Sequence, residues 1–253
     1  MDSGYTLLQI VERYDHVLID NNVLSSVPGM RYLHRDLQQI ETASDLAPHL
    51  DRLEDYLRRA EELQQLLSAE NVHTTIGVLL EHRRFYAALS KRCAEFFEEV
   101  TGYFPSKTKM ADGKTKMFNP LVLRKGMDPN VINAINALMD ITNVTAAYFI
   151  DQDLPYGEVF GNDDIDQSLV AATLGYALDH SNTSGRVALV TYDLSVVERL
   201  LSAIECLDHT TKRLISWRTQ GFYFTQQESD NPRAEKWEVN LQRRAREAAH
   251  QQT

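Results

Sequence analysis

Apolar and polar positions recur along this chain with two different periods, and the changes of period mark out its elements. Val17-Leu18-Ile19 and Val187-Ala188-Leu189-Val190 are short continuous apolar runs between turn signals, the pattern of strands buried on both faces. Asn71-Val72-His73 predicts a third, shorter strand. Elsewhere the spacing is three to four. Leu46, Leu50, Leu53, Leu57, Ala60, Leu63 and Leu67 make one stripe of an amphipathic helix with Ser44 placed to cap it. Its polar side carries Arg52, Glu54, Arg58, Arg59, Glu61 and Glu62. A short helix over 5–14 leads into the first strand, and Ser25, Ser26, Pro28 and Gly29 interrupt the pattern before a helix at about 30–41.

A helix capped by Thr74 or Thr75 extends to about residue 100, with Ile76, Leu79, Leu80, Arg83, Tyr86, Ala87, Ser90 and Ala94 on one face. Gly102-Tyr103-Phe104-Pro105 stops it, and 105–127 reads as a loop punctuated by Gly113, Pro120 and Gly126. Asp128-Pro129 opens a helix to about 142 through Val131, Ile132, Ile135, Leu138 and Met139, while 145–150 fits helix or strand. Asn162 to Asp166 opens another helix through Leu169, Ala172, Leu174, Tyr176 and Ala177. Asp193 caps a further helix, whose Val196, Val197, Leu200, Leu201 and Ile204 face a core. Leu214 to Thr225 predicts one or two strands with Gly221 at a bend, and the charged tail from 231 predicts a helix with Arg243, Arg244 and Arg246 near its end.

Strands alternating with helices imply an α/β fold, a three-layer α/β/α arrangement around a central parallel sheet, here with a helical and loop insertion. The expected organisation is a domain over 1–206 with the insertion at about 101–160, followed by an extension over 207–253.

Composition narrows this picture only slightly. The chain has 253 residues, 43% hydrophobic and 25% charged, ordinary values for a globular protein. No stretch approaches the about 20 apolar residues of a membrane span, and the start shows no basic-then-apolar leader. Cys93 and Cys206 are the only cysteines, so a disulfide framework or thiolate zinc site is not indicated. A reduced, cytoplasmic location without membrane contact is the expectation. A formal net charge of −10 argues against a generally basic nucleic-acid binder. The chain contains neither a phosphate-binding GxxxxGK[ST] loop nor GxGxxG at its first strand, which excludes the common NTPase and dinucleotide signatures.

Four acids fall where a parallel sheet gathers chemistry, at the carboxyl ends of its strands. Asp20 ends the first strand, Glu81 lies two turns into the helix after the second, Asp166 sits in the first turn of a later helix, and Asp193 follows the strand at 187–191. Plain alternatives exist for most of them: Asp163, Asp164 and Asp193 are good caps, and a lone Glu81 is an ordinary surface residue, whereas Asp20, which ends an apolar strand, has no capping job. Carboxylates crowded together repel, so a cluster persists mainly where cations offset the charge. Oxygen-only donors suit hard ions, Mg²⁺ or Mn²⁺. Such ions can activate a water for in-line attack on a phosphodiester.

These residues resemble the motifs of the PIN-domain nucleases. Ile19-Asp20-Asn21-Asn22 is similar to the first motif. Asn71-Val72-His73-Thr74-Thr75 leading to Glu81 is similar to the second. Asn162-Asp163-Asp164-Ile165-Asp166-Gln167-Ser168-Leu169 resembles the third, and Val187 to Asp193, ending Thr-Tyr-Asp, resembles the fourth. The resemblance covers about 14–100 and 160–206. It implies a PIN-like fold and a Mg²⁺- or Mn²⁺-dependent endoribonuclease with Asp20, Glu81, Asp166 and Asp193 as metal-site acids. Asn22 and Thr191 would hydrogen-bond within the site. Asp164 is a further candidate ligand: spacing to Leu169 and Ala172 favours Asp166, and the Asn-Asp-Asp run favours the earlier pair. A structure-selective DNA nuclease and a catalytically silent PIN-like module that binds RNA or protein are the alternatives. RNA is the expected partner, with a protein partner or inhibitor, and a homodimer, left open.

Lys107, Lys109, Lys114, Lys116, Arg124 and Lys125 stand close together in the middle loop with Tyr103, Phe104 and Phe118 interleaved. In so acidic a chain that combination suits phosphate tracking with stacking platforms, although a solvated loop accounts for it equally well.

Overall fold

The computed structural model describes residues 4–26, 30–103, 108–109, 115–116, 127–148, 165–179, 185–224 and 234–238. Its strands are β1 (His16–Ile19), β2 (Val72–His73), β3 (Thr108–Lys109), β4 (Thr115–Lys116), β5 (Val187–Thr191), β6 (Thr219–Phe224) and β7 (Ala234–Glu238). The helices are α1 (Leu7–Val11), α2 (Asn21–Ser26), α3 (Met30–Gln39), α4 (Leu50–Leu67), α5 (Ile76–Thr101) and α6 (Pro129–Ala147). They continue with α7 (Ile165–Leu178), α8 (Leu194–Glu205) and α9 (His209–Arg218). By its contacts the chain divides into two units: Met1–Val23 with Ala69–Val78 and Phe160–Thr253, and Leu24–Ser68 with Leu79–Val159.

The first unit is α/β. Its sheet has the order β2-β1-β5-β6-β7, with the first four strands parallel and β7 antiparallel at the edge. The apolar runs explain its centre, since Val17, Leu18, Ile19 and all of Val187–Thr191 are buried. β1 and β5 pair from His16↔Val187 to Ile19↔Val190, so the residues that follow, Asp20 and Thr191, leave the sheet side by side.

Three expectations change here. Residues beyond 207 are not appended to a finished domain, because β6 pairs with β5 from Val187↔Thr219 to Thr191↔Tyr223 and supplies the fourth parallel strand. Gly221 lies within that strand rather than at a bend. A Cβ on it would come within 2.8 Å of Val197 Cγ1, so the missing side chain is what lets α8 approach the strand. The charged stretch at 234–238 is a strand, not a helix, because it covers the otherwise open edge of β6 from Gln220↔Glu238 to Phe224↔Ala234. Arg243, Arg244 and Arg246 lie outside the described residues.

The second unit is largely helical. Leu33, Leu37, Leu46, Leu53, Leu89, Phe96, Ile135, Leu138 and Met139 belong to its core, in which α6 is nearly surrounded. Asp128 caps α6 by accepting from the Asn130 N–H at 2.9 Å. Thr142 and Thr145 remain buried in the helix by donating to the carbonyls of Leu138 and Ile141 at 2.8 and 2.7 Å. The leucine stripe packs as its spacing predicts, with Leu53, Ala60 and Leu63 buried. Its cap differs: Pro48 lies in a 3-10 turn, Ala43–His49, which Thr42 and Asp45 close in a capping box, and the α-helix proper begins at Leu50. Ser44 is therefore not the cap.

α5 is rotated from its expected face. Leu80 is 39% exposed, whereas His82, Leu89, Cys93 and Phe96 are buried. A histidine sits near the start of the buried line, so the apolar count favoured the wrong side. No helix among the described residues is long and apolar enough to cross a membrane.

Candidate active site at the strand ends

Parallel registration of β1 and β5 builds a hydrogen-bonded cluster where the two strands end. Asp20 is 5% exposed, and its own N–H donates to the Val190 carbonyl at 3.1 Å. Its Oδ1 accepts from the Asn21 N–H at 2.6 Å and its Oδ2 from the Thr191 hydroxyl at 2.7 Å. These donors compensate the water the carboxylate loses on burial.

Thr191 is the junction. Its single proton goes to Asp20, which leaves its oxygen to accept from Asn22 Nδ2 at 3.1 Å and from the Asp193 N–H at 2.9 Å. Asn22 Oδ1 in turn accepts from the Tyr192 N–H at 2.8 Å, so the carboxamide clamps the end of β5 to the start of α2. Asp193 is exposed and caps α8, its Oδ1 accepting from the Ser195 N–H at 2.8 Å. The capping role read from sequence is real, and it uses only part of the carboxylate's capacity. Each carboxylate oxygen has about two acceptor directions, so the exposed Asp193 keeps room for a cation or a second donor.

The other acids are placed differently. Asp166 lies in the first turn of α7 and pairs with Arg199 of α8 at 3.3 Å, its side chain 31% exposed. Glu81 is exposed on the part of α5 that belongs to the second unit. Asp163 and Asp164 lie outside the described residues. Among the described residues no set of three His, Cys, Asp or Glu side chains is placed to hold a metal ion. What the strand ends bring together is Asp20, Asn22, Thr191 and Asp193. Carboxylate, amide and hydroxyl oxygens are the donor set that Mg²⁺ or Mn²⁺ favours.

Of the basic loop, Lys109 and Lys116 fall in β3 and β4, which pair antiparallel through Thr108↔Lys116 and Lys109↔Thr115. Lys107, Lys114, Arg124 and Lys125 lie outside the described residues.

Two features were not anticipated. Asn21 is 8% exposed, and its Oδ1 is buried without a hydrogen-bond partner among the described residues. Such an orphan costs about 1–3 kcal/mol and marks a place where the sheet end is not optimised for stability alone. The second is an aromatic sandwich. His16 Nδ1 and His73 Nε2 are 3.0 Å apart, and the Tyr176 ring packs tilted against His16 and stacked on His73 at centroid distances of 4.7 and 4.6 Å. Burial, and then the neighbouring His16, lower the His73 pKa. The signal was in the register: Leu18 pairs with His73, and alternation returns His16 to that same face.

No protein-family model, curated protein or solved structure matches the chain.

Proposed function

We propose that the chain is a PIN-like, three-layer α/β/α nuclease that hydrolyses RNA phosphodiester bonds with Mg²⁺ or Mn²⁺. The observation that carries this reading is the Thr191 hydroxyl, which ties Asp20, Asn22 and Asp193 into one cluster at the ends of adjacent parallel strands. All four residues were singled out from sequence motifs far apart in the chain, and their convergence is what a catalytic assignment requires.

Asp20 and Asp193 would hold the ion. Asn22 fixes the strand end, and Thr191 sets the orientation of the Asp20 carboxylate by donating to one oxygen. A bound divalent ion supplies an activated water and offsets charge on the attacked phosphate. Glu81 and Asp166 enter from the resemblance, and Asp164 stays beside Asp166 as an alternative. No side-chain nucleophile is needed.

A silent module that binds RNA or protein is favoured by one observation: Asp166 already has a fixed cation, Arg199. Incubating wild type and Asp20→Asn with a mixed RNA pool and Mn²⁺ separates the readings. We expect cleavage by wild type and a loss of about a hundredfold or more in the variant, the scale on which a group acting at the reacting centre contributes. Equal rates would remove Asp20 from the site. Absence of cleavage under every divalent ion would leave the silent module, and cleavage of a matched DNA pool alone would make the protein a DNA nuclease.

A further inference from the structure

The arginines of α4 are paired with carboxylates, as is Arg92 of α5, whereas among the described residues two arginines and a lysine on the outer face of α5 are not. On α4, Arg52 pairs with Asp36 at 2.8 Å, Arg58 with Asp55 and Glu62 at 2.6 and 2.8 Å, and Arg59 with Asp55 at 2.8 Å. On α5, Arg83, Arg84 and Lys91 are exposed and have no hydrogen bond or ion pair among the described residues. The chain holds 36 acidic residues against 26 lysines and arginines, so a cation left without a carboxylate runs against the composition.

Helical geometry collects these three cations on one face. At 3.6 residues per turn, Leu80, Arg83, Arg84, Ala87 and Lys91 fall within about 100° of arc. That stripe lies opposite the buried line through His82, Leu89, Cys93 and Phe96. From residue 80 to 91 it contains no acid, and it extends over about 12 Å between Arg83 and Lys91. Glu95, which follows on the same side, is occupied by Arg92 at 2.7 Å. The face lacks the aromatic anchor on which a protein interface usually centres. Unpaired cations without a directional acceptor are what backbone phosphates recruit.

We propose that this face of α5 binds the phosphate backbone of single-stranded RNA. The identity of the polyanion rests on the nuclease reading, whereas the charge pattern stands by itself. Arg83, Arg84 and Lys91 act as point charges spread along the helix and read no base.

The test is fluorescence anisotropy of a labelled poly(U) oligonucleotide with the full chain carrying Asp20→Asn, which spares the probe. Adding R83Q, R84Q and K91Q should weaken binding about tenfold at ~0.1 M salt and reduce the slope of log K against log salt by about 2, near 0.7 per lost phosphate contact. R83K with R84K should bind like the parent. Unchanged affinity and slope in the glutamine variant would overturn the proposal while leaving Asp20-dependent cleavage untouched. An equal loss in the lysine variant would also overturn it, because the effect would not be one of charge. If the glutamine variant keeps poly(U) but loses a polyglutamate probe, the face belongs to an acidic protein and the proposal falls. Failure of the parent to bind RNA, together with failure of wild type to cut it, would sink both readings.

Discussion

Asp20 of the first unit and His82 of the second are both buried, and the two are accommodated by opposite means. At the strand ends of the first unit, Asp20, Thr191 and Asn22 are each met by donors or acceptors from the neighbouring strand or turn at 2.6–3.1 Å. In the second unit, His82 is 0% exposed, with the rings of Phe85 and Tyr148 at centroid distances of 6.1 and 6.0 Å. The sheet end supplies partners to Asp20, Asn22 and Thr191, so the geometry of these three is fixed by several directional bonds. The helical unit excludes water around its histidine, and burial pushes that pKa down to about 4. One site is built to position a charge, and the other to forbid one. Hydrogen bonds of the first kind are where chemistry is expected, and an imidazole of the second kind is a liability in acid.

That liability gives the largest expected effect. The folded-state pKa of His82 lies near 4, below the ordinary 6.5, so the unfolded chain binds the extra proton between those values. Stability from this group is therefore complete above about pH 6.5 and falls as the pH drops toward 4, by about 3 kcal/mol in all and roughly 2 by pH 5. His73 adds to the loss in the same direction. Urea unfolding at pH 7.5 and pH 5 should show the fall, and His82→Phe, which suits the aromatic surroundings, should remove most of it. A His82→Phe protein with the full pH dependence would mean that this imidazole is not kept neutral by its burial.

The next effect belongs to the strand ends. Thr191→Val keeps the shape and deletes the hydroxyl that Asp20, Asn22 and the Asp193 N–H share. Cleavage should fall about ten- to a hundredfold, the range for groups that orient a metal-site ligand. Thr191→Ser should recover most of it, since the serine hydroxyl can occupy the same place. Both variants should leave the acid sensitivity set by His82 unchanged. Wild-type rates in Thr191→Val would reduce the cluster to a structural clamp.

How much of this was legible beforehand follows the same division. The strands at 17–19 and 187–190 were readable because parallel strands buried on both faces need uninterrupted apolar residues, and Asp20 and Thr-Tyr-Asp193 followed directly from where those runs stop. The hydroxyl bridge needs the register, which hydropathy does not encode: Ile19↔Val190 is a relation between residues 171 apart. α5 was placed correctly and rotated wrongly because His82 behaves as a core residue while its type suggests a surface. β7 was missed because Ala234-Glu235-Lys236-Trp237-Glu238 has helical propensity, and only the open edge of β6 makes it a strand. Gly221 carried a signal of the wrong kind, since a glycine required by a neighbouring helix looks in sequence like a glycine required by a turn.

The smallest effect tests the acid that is paired with an arginine. Arg199 and Asp166 are 46% and 31% exposed and approach to 3.3 Å, so solvent screens the pair and its loss costs less than about 1 kcal/mol of stability. Arg199→Gln should therefore unfold within a few degrees of wild type. Its informative readout is the Mn²⁺ concentration that half-activates cleavage. The guanidinium and a metal ion compete for one carboxylate, so removing the guanidinium should lower that concentration a few-fold if Asp166 joins Asp20 and Asp193 in holding the ion. An unchanged half-activating concentration would leave Asp166 as the ionic tie between α7 and α8, with the metal resting on Asp20 and Asp193. Repeating the titration in Asp166→Asn separates the cases further, because only a ligand to the ion should then raise the Mn²⁺ requirement.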